Sequence, residues 1–288
     1  MERRRNHSGG PGELFARDIG RGTPIVVLHG GPDFDHQYLL PELDRLADKF
    51  RVITYAQRGR GASSAGTRAE DVALASEITD LDALRAQFGL ESVALLGHSW
   101  GGVLAMEYAI RHPQRVSRLI LMNSGPASRA DYERLRQARA RTAAGELKRM
   151  AKIAASPRYQ SGELAADADY YRFHFGATAR NPDQLERLLK RLRMNFTPET
   201  ILLARQIEDR LMSQTWSRPD YDLLPALRAL RIPALVIHGE HDLIPEECAR
   251  HIADAIPGAR FVLLPGCGHF SLMEAPEAVI EAISEFLT

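Results

Sequence analysis

Three residues that lie far apart in the chain have the chemical types needed for acyl transfer by a serine nucleophile. Ser99 stands at the centre of Gly-His-Ser-Trp-Gly, residues 97–101, and is followed by Asp242 and then by His269. A serine hydroxyl is a poor nucleophile near neutral pH, so it needs a base within hydrogen-bond reach, and imidazole can accept the proton at that pH. A carboxylate fixes the imidazole tautomer and stabilises the imidazolium ion. The three residues therefore predict a Ser-His-Asp catalytic triad.

Each triad candidate follows a short apolar run that is typical of a buried strand. Residues 93–96 precede the serine segment, and residues 234–237 and 261–264 precede its two partners. Residues 102–109, directly after the serine segment, favour a helix. Strand, Gly-x-Ser-x-Gly and helix together predict a nucleophile elbow, a sharp turn that exposes the serine hydroxyl. Because the carboxyl ends of parallel strands face one crevice, we expect the three side chains to meet there.

A glycine loop after another apolar run is a candidate oxyanion hole. His-Gly-Gly-Pro, residues 29–32, follows the apolar residues 25–28. Backbone N–H groups of such a loop act together with the N–H of the residue after the nucleophile. We expect the two donors to be Gly31 and Trp100. The alternative is an ordinary glycine turn between a strand and a helix.

Other residues compete for the catalytic roles. The chain has ten histidines, and His241 is the second candidate for the base because it lies beside the acid loop. Glu240 is the second candidate for the acid. Cys267 lies two residues before His269 and is an alternative nucleophile, although a small residue that fills a tight loop is the preferred interpretation.

Composition excludes several function classes. Lys+Arg and Asp+Glu both number 37 in a chain of 288 residues, so the formal net charge is zero. We therefore expect no nucleic-acid partner, and no apolar run is long enough to predict a membrane span. The two cysteines have neither disulfide-framework nor metal-site spacing, so we expect no metal. Residues 97–102 lack the spacing of a dinucleotide fingerprint, so we expect no cofactor. Residues 1–5 begin no apolar signal segment, which favours the cytoplasm. The oligomeric state is left open.

The chain divides into three parts. Residues 1–12 are basic and glycine-rich and are predicted to be a mobile tail. Residues 13–125 and 226–288 alternate strands and helices, which predicts an α/β core with a mostly parallel sheet. Residues 126–225 lack strand-like runs and are predicted to form a helical cap, with an amphipathic helix over 184–192. Helical spacing places five apolar residues of the core on one stripe: Leu74, Ile78, Leu81, Leu84 and Phe88.

Three segments resemble those of a known family. His-Gly-Gly-Pro at 29–32, Gln-Arg-Gly-Arg-Gly-Ala-Ser at 57–63 and Gly-His-Ser-Trp-Gly-Gly at 97–102 are similar to motifs of α/β-hydrolases of the proline iminopeptidase type. The resemblance extends over most of the chain. It implies an α/β-hydrolase fold with an inserted helical cap. It also assigns nucleophile, acid and base to the three triad candidates, and implies release of an N-terminal residue from a short peptide or amide.

The chain departs from this family at three positions. Asp33 stands where the family usually has glycine, and Ala56 where it usually has aspartate. Leu243, directly after the candidate acid, replaces a carboxylate that helps these enzymes to hold the substrate ammonium. Residues 204–208 resemble a second ammonium site in the cap, which makes Glu208 a candidate ligand. The alternative is an exposed helix carboxylate that pairs with a neighbouring arginine.

The expected substrate site combines residues from the core and the cap. Glu208, Asp33 and Phe34 are predicted to bind substrate, Trp100 is expected to contribute to the pocket, and Asp35 is a further candidate for the ammonium. The expected function is a serine hydrolase that acts on small peptides or aminoacyl amides. The alternatives are a carboxylesterase or lactonase that acts on small neutral esters and, third, a non-catalytic ligand-binding protein.

Overall fold

A computed structural model describes residues 14–179 and 181–288, so the predicted tail of residues 1–12 lies outside the described residues. Within this range one sheet contains seven strands: β1 (Ala16–Gly20), β2 (Pro24–Leu28), β3 (Arg51–Tyr55), β4 (Val93–His98), β5 (Val116–Met122), β6 (Ala234–Gly239) and β7 (Arg260–Leu264). Their order is β1-β3-β2-β4-β5-β6-β7. Only the β1–β3 pair is antiparallel.

Helices connect the strands and cover both faces of the sheet. Those outside the insertion are α1 (Leu74–Gln87), α2 (Trp100–Arg111), α9 (Leu224–Leu227), α10 (Glu246–Ala255), α11 (Ser271–Glu274) and α12 (Pro276–Leu287). Between β5 and α9 lie α3 (Arg129–Thr142), α4 (Ala144–Ala154), α5 (Pro157–Gln160), α6 (Leu164–Gly176), α7 (Pro182–Leu192) and α8 (Pro198–Gln214). α1, α2 and α10 pack on one face, and α12 packs on the other.

Side-chain alternation along the strands divides the apolar residues between two cores. In β5, Leu119 and Leu121 belong to the core on one face, and Ile120 and Met122 belong to the core on the other. All four are fully buried. A parallel sheet covered on both faces requires continuous apolar runs such as this one. The predicted α/β class is therefore confirmed, and so is the apolar stripe of α1, which packs into the first core.

The inserted helical region leaves and rejoins the core at one place. Ser128 and Asp222 form an isolated antiparallel bridge, the N–H of Leu223 donates to the carbonyl of Ala127 (2.9 Å), and that of Arg129 to Tyr221 (2.7 Å). The amphipathic helix predicted over 184–192 is confirmed as α7. The exact cap boundaries, 126 and 225, stay a prediction. In the described part of the chain no helix is long and apolar enough to cross a membrane.

The contact between α2 and the sheet gives a stability prediction. A Cβ on Gly101 would overlap the carbonyl of Leu28, whereas one on Gly145 in α4 would meet no atom within 4 Å. Gly101→Ala should therefore destabilise the fold by about 1–3 kcal/mol, as overpacking does. Gly145→Ala should stabilise it by about 0.5–1 kcal/mol, because alanine favours helix. Denaturant unfolding of both variants checks the difference, and equal effects would contradict this packing.

Candidate active site

The turn at Ser99 connects β4 directly to α2. Ser99 has φ 55° and ψ −118°, a backbone conformation that side-chain-bearing residues rarely adopt. Strand and helix can approach closely because Gly97 has no Cβ. A Cβ at this position would overlap the carbonyl of Gly101. The predicted elbow geometry is therefore present, and the serine side chain remains partly exposed at the carboxyl edge of the sheet.

The three triad candidates form one hydrogen-bonded chain. Nδ1 of His269 lies 2.8 Å from Oδ1 of Asp242, and Nε2 of His269 lies 3.1 Å from Oγ of Ser99. The side chains of His269 and Asp242 are almost completely buried. With the Nδ1 proton donated to the carboxylate, Nε2 has its lone pair directed at the serine hydroxyl. This arrangement can deprotonate the serine.

The environment of Asp242 keeps its carboxyl ionised. Burial by itself raises the pKa of Asp242, but His269, His238 and the hydrogen bonds that the carboxylate accepts outweigh burial and bring the pKa to about 2. The N–H of Ile244 (2.9 Å) and Nδ2 of Asn123 (2.7 Å) both donate to this carboxylate. The carboxylate therefore retains its charge throughout the neutral range.

Asn123 is a site residue that the sequence analysis missed. It has φ 46° and directly follows β5. Its Nδ2 donates to Asp242 and to the carbonyl of Gly268 (3.2 Å), and its Oδ1 accepts from the hydroxyl of Ser271. Asn123 thus fixes the acid and the loop of the base at once. Its position, a polar residue directly after a buried strand, is the signal that would have found it.

A second set of hydrogen bonds braces the loop of the base. The N–H of Gly30 donates to the Tyr38 hydroxyl (2.7 Å), which donates to Nδ1 of His98 (2.6 Å), whose Nε2 lies 2.9 Å from the carbonyl of His269. Burial lowers the pKa of His98 to about 3, so its ring is neutral and has one donor and one acceptor. The glycine loop, the elbow and the base are therefore held in fixed relative positions.

The two expected oxyanion donors come from the helix N-terminus after Ser99 and from the glycine loop that lines the same cavity. Trp100 is the first residue of α2, so its N–H has no partner within the helix. Gly31 has φ 122°, which only glycine readily adopts, and lines the cavity with Ser99. The expectation that the Trp100 side chain contributes to the pocket is wrong. The indole is fully buried and packs against Trp216 with a centroid distance of 5.7 Å.

Two of the family-like segments are joined by hydrogen bonds. The N–H of Gln57 donates to Nε2 of His29 (3.0 Å), and Nε2 of Gln57 donates to the carbonyl of the same histidine (2.9 Å). The buried guanidinium of Arg60 in turn donates to Oε1 of Gln57 (2.8 Å) and to Glu77 (2.6 Å). The segment at 57–63 therefore supports the glycine loop from below and has no direct contact with the cavity.

The competing candidates lie outside the hydrogen-bonded chain. His241 is exposed, and its Nε2 lies 3.7 Å from the Glu240 carboxylate. Glu240 accepts from the N–H of Gly266 (2.8 Å). Cys267 is buried, and burial raises the pKa of its thiol, which disfavours the nucleophilic thiolate.

A cavity of about 180 Å³ lies above Ser99, between the sheet edge and the inserted helical region. It contains three charged side chains, several aromatic rings and the triad serine and histidine. Its walls are Gly31, Pro32, Asp33, Phe34, Ser99, Gly125, Pro126, Tyr132, Leu135, Arg139, Tyr159, Tyr170, Tyr171, His174, Phe175, Glu208, Met212, Trp216, Leu243, Ile244 and His269. All three predicted substrate residues, Phe34, Asp33 and Glu208, therefore reach it, and so does the apolar Leu243.

Asp33 is already paired within the protein. Its carboxylate accepts from the Tyr171 hydroxyl (2.5 Å) and forms an ion pair with Arg193. Arg193 also donates through Nε to Asp167 (2.7 Å), which accepts from Arg205 (2.5 Å). The two carboxylates and two guanidinium groups balance, so this buried network has no net charge.

Glu208 has no such partner among the residues that the structure describes. Burial and the nearby Asp33 raise the pKa of Glu208 well above its ordinary value, against the influence of Arg193. The neighbouring arginines are engaged elsewhere: Arg205 pairs with the network of Asp33, and Arg210 donates to the carbonyl of Val72 (3.2 Å). Within the described residues Glu208 forms no ion pair, and its side chain faces the cavity. The alternative of an exposed, arginine-paired carboxylate is therefore wrong.

Asp35, the other candidate for the ammonium, is not in the cavity wall. Its Oδ1 accepts from the N–H of Gln37 (2.9 Å) and its Oδ2 from Nδ2 of Asn195 (3.2 Å). The side chain is completely buried, and burial raises its pKa from 3.8 to about 6.

Comparison with known proteins gives consistent matches along the chain. The family model for the alpha/beta hydrolase fold matches residues 23–276. A proline iminopeptidase of Lactobacillus delbrueckii subsp. bulgaricus is 28% identical over 293 aligned positions, covering 96% of this chain and 94% of that protein. The crystal structure of a proline iminopeptidase of Mycobacterium smegmatis superposes with a TM-score of 0.70 at 26% identity, covering 95% and 94% of the two chains. An esterase of Thermogutta terrifontis superposes with a TM-score of 0.67 at 25% identity, covering 100% and 98%.

The contacts of Asn123 predict a loss of turnover without loss of the nucleophile. Asn123→Ala should lower kcat by roughly 10- to 100-fold, because a small displacement of acid and base impairs proton transfer. Steady-state kinetics check this, and Asn195→Ala, which removes an asparagine–aspartate hydrogen bond outside the triad, is the matched control. An unchanged kcat in folded Asn123→Ala protein would show that Asp242 needs no such support.

The raised pKa of Asp35 predicts a pH dependence of stability. The folded state binds the Asp35 proton more tightly than the unfolded state, so this group's stabilising contribution is lost as pH rises from about 4 to about 6. Asp35→Asn does not titrate. The free energy of unfolding of Asp35→Asn, minus that of the parent protein, should therefore increase by about 2–3 kcal/mol from pH 4 to pH 7. Denaturant unfolding at both pH values, with exposed Asp48→Asn as control, checks the drift; a constant difference contradicts it.

Proposed function

Because the chain belongs to the α/β-hydrolase family, we propose that it is a serine hydrolase in which Ser99, His269 and Asp242 act as nucleophile, base and acid. The observation that carries this proposal is the hydrogen-bonded chain with distances of 3.1 Å and 2.8 Å. It ends on a serine with a rare backbone conformation, and that serine opens into a cavity. These features together are what acyl transfer requires.

The reaction follows from these positions. His269 removes the proton of Ser99, whose Oγ bonds to the substrate carbonyl carbon, and the N–H groups of Gly31 and Trp100 bind the resulting oxyanion. The bond to the leaving group breaks, and the leaving atom takes the proton from His269. Water then gives a proton to His269 and attacks the acyl carbon. The acid product departs, and Ser99 recovers its proton.

We further propose that the substrate is a small peptide or aminoacyl amide with a free N-terminus. The unpaired carboxylate of Glu208 in the cavity supports this, since a desolvated ammonium requires a negatively charged acceptor. A cation bound there would also favour the ionised carboxylate over the protonated form that burial favours. The similarity to proline iminopeptidases over almost the full chain supports the same class of substrate.

An esterase or lactonase that acts on small neutral esters is the second candidate. Two observations favour it: Leu243 places an apolar side chain in the cavity wall, and Asp33 is neutralised by Arg193. Because Asp33 is paired, Glu208 is the only carboxylate among the described residues of the cavity wall that is free to bind an ammonium.

Substitution of Glu208 distinguishes the two functions. If the aminopeptidase proposal holds, Glu208→Gln should lower kcat/KM for aminoacyl arylamides by roughly 30- to several-thousand-fold, the typical cost of removing the partner of a buried charge. Turnover of N-acetylated substrates and of neutral p-nitrophenyl esters should change little. Asp209→Asn, on the exposed side of the same helix, is the matched control, and Ser99→Ala provides the blank.

Two results would overturn these assignments. Wild-type enzyme that prefers N-acetylated to free aminoacyl substrates would exclude the aminopeptidase function. Folded Ser99→Ala protein that keeps full activity and still reacts with a fluorophosphonate at the active site would exclude the serine mechanism itself.

A further inference from the structure

Two ionisable side chains in the cavity wall form no ion pair with any residue that the structure describes. Asp33 is neutralised by Arg193. Arg139 and Glu208 also line the cavity, and neither forms an ion pair within residues 14–179 and 181–288. Charged groups removed from water are costly unless an opposite charge and hydrogen bonds compensate them. A ligand with one positive and one negative group would compensate both.

The contacts of Arg139 leave it free to bind an anion. Its Nη1 lies 3.4 Å from Nε2 of His174, and its Nη2 lies 3.5 Å from the carbonyl of His174 and 3.8 Å from Sδ of Met150. These distances are longer than those of strong hydrogen bonds, and the partners carry no negative charge. Burial lowers the pKa of Arg139, yet a guanidinium keeps its proton in proteins. Arg139 is therefore a partly desolvated cation at the wall of the cavity.

The two side chains come from different helices of the inserted region, and Arg139 lies on the side of His269. Arg139 Nη1 lies 3.4 Å from Nε2 of His174, whose ring packs against that of Phe175 with a centroid distance of 4.6 Å. Phe175 in turn stacks on His269 with a centroid distance of 6.2 Å. Glu208 belongs to α8, whereas Arg139 belongs to α3. The imidazole of His269 must reach the leaving atom to protonate it, so the leaving group lies on the side of His269 and Arg139.

We propose that Arg139 binds a carboxylate on the leaving group, so that the preferred substrate is a dipeptide with a free amino end and a free carboxyl end. This proposal rests on the proposed aminopeptidase function. Glu208 binds the ammonium of the first residue, and the guanidinium of Arg139 binds the carboxylate of the second. Hydrolysis consumes one water and breaks the single amide bond between these two groups. The products are two free amino acids.

The size of the cavity favours a dipeptide over a longer peptide. Its volume of about 180 Å³ is below the roughly 300–1,000 Å³ of sites that hold drug-sized ligands. In an extended dipeptide the two charged ends are separated by about two residue lengths, on the order of 7 Å. A short, doubly charged substrate therefore fits both the volume and the two separate charges.

Matched pairs of substrates and variants test the role of Arg139. The aminoacyl group that gives the fastest arylamide turnover is joined to glycine, to glycinamide or to an arylamine, and kcat/KM is measured for each. The variants are Arg139→Gln, Arg139→Lys and the control Arg136→Gln. Arg136 lies one turn away on the same helix, is exposed and pairs with Glu133.

The expected result is a preference of the wild type for the free acid over the glycinamide by roughly 10- to 100-fold, the effect of a hydrogen bond to a charged group. Arg139→Gln should remove this preference, Arg139→Lys should keep part of it, and Arg136→Gln should leave it unchanged. The readout is the ratio of the two kcat/KM values within each protein, and circular dichroism shows that the variants fold. A wild type that hydrolyses the arylamide but treats acid and glycinamide equally would overturn the proposal while the aminopeptidase function stands.

A second comparison covers the case in which the enzyme hydrolyses only esters. Acetate esters of 4-hydroxybenzoic acid and of 4-hydroxybenzamide differ in a carboxylate on the leaving group. A wild-type preference for the former that Arg139→Gln removes would support carboxylate binding on that side, even though the aminopeptidase function had failed. An identical ratio in both proteins would overturn it. Glutamyl and glutaminyl arylamides test the acyl side: a glutamyl preference that depends on Arg139 would overturn the assignment to the leaving group.

Discussion

Close backbone contact between the start of α2 and the ends of β2 and β4 determines where the reacting groups lie. The contact is possible because Gly97 and Gly101 lack side chains at the point where strand and helix meet. It forces Ser99 into its rare backbone conformation and brings the glycine loop after β2 beside the helix N-terminus. Nucleophile and oxyanion donors are thus positioned by the core of the sheet, before any side-chain hydrogen bond is considered.

The groups that position the base and the acid do not change their charge in the neutral pH range. His98 is neutral and Asp242 is ionised throughout the neutral range. Asn123 and Tyr38 have no charge to lose there. Elsewhere in the cavity wall, Asp33 is paired with Arg193, whereas Arg139 and Glu208 form no ion pair with any described residue. The site therefore has two separate parts: a triad held rigidly by hydrogen bonds, and a cavity wall with unpaired ionisable side chains.

Much of the fold and the core of the site can be predicted from sequence, because both depend on local patterns. Apolar runs of strand length, each followed by a polar or glycine segment, identify the strand ends, and all three triad candidates follow such runs. Asn123 also follows such a run, but its partners and those of Tyr38 are distant in the chain, so the local pattern does not show what either side chain binds. The environment of Glu208 could not be decided either. Whether a carboxylate on an amphipathic helix faces solvent or a cavity depends on how that helix packs, and the arginines near it in sequence turn out to bind other groups.

The bridge between Ser128 and Asp222 has a consequence for how the inserted helical region can vary between related proteins. The inserted helical region begins and ends at neighbouring segments that are hydrogen-bonded to each other. To the core, the whole insertion is therefore equivalent to one closed loop, and the entropy of closing a loop grows only slowly with its length. Helices can be lengthened, shortened or exchanged within it while the distance across its base stays constant. Exchange of the whole insertion at this bridge would give a new substrate cavity over an unchanged catalytic triad.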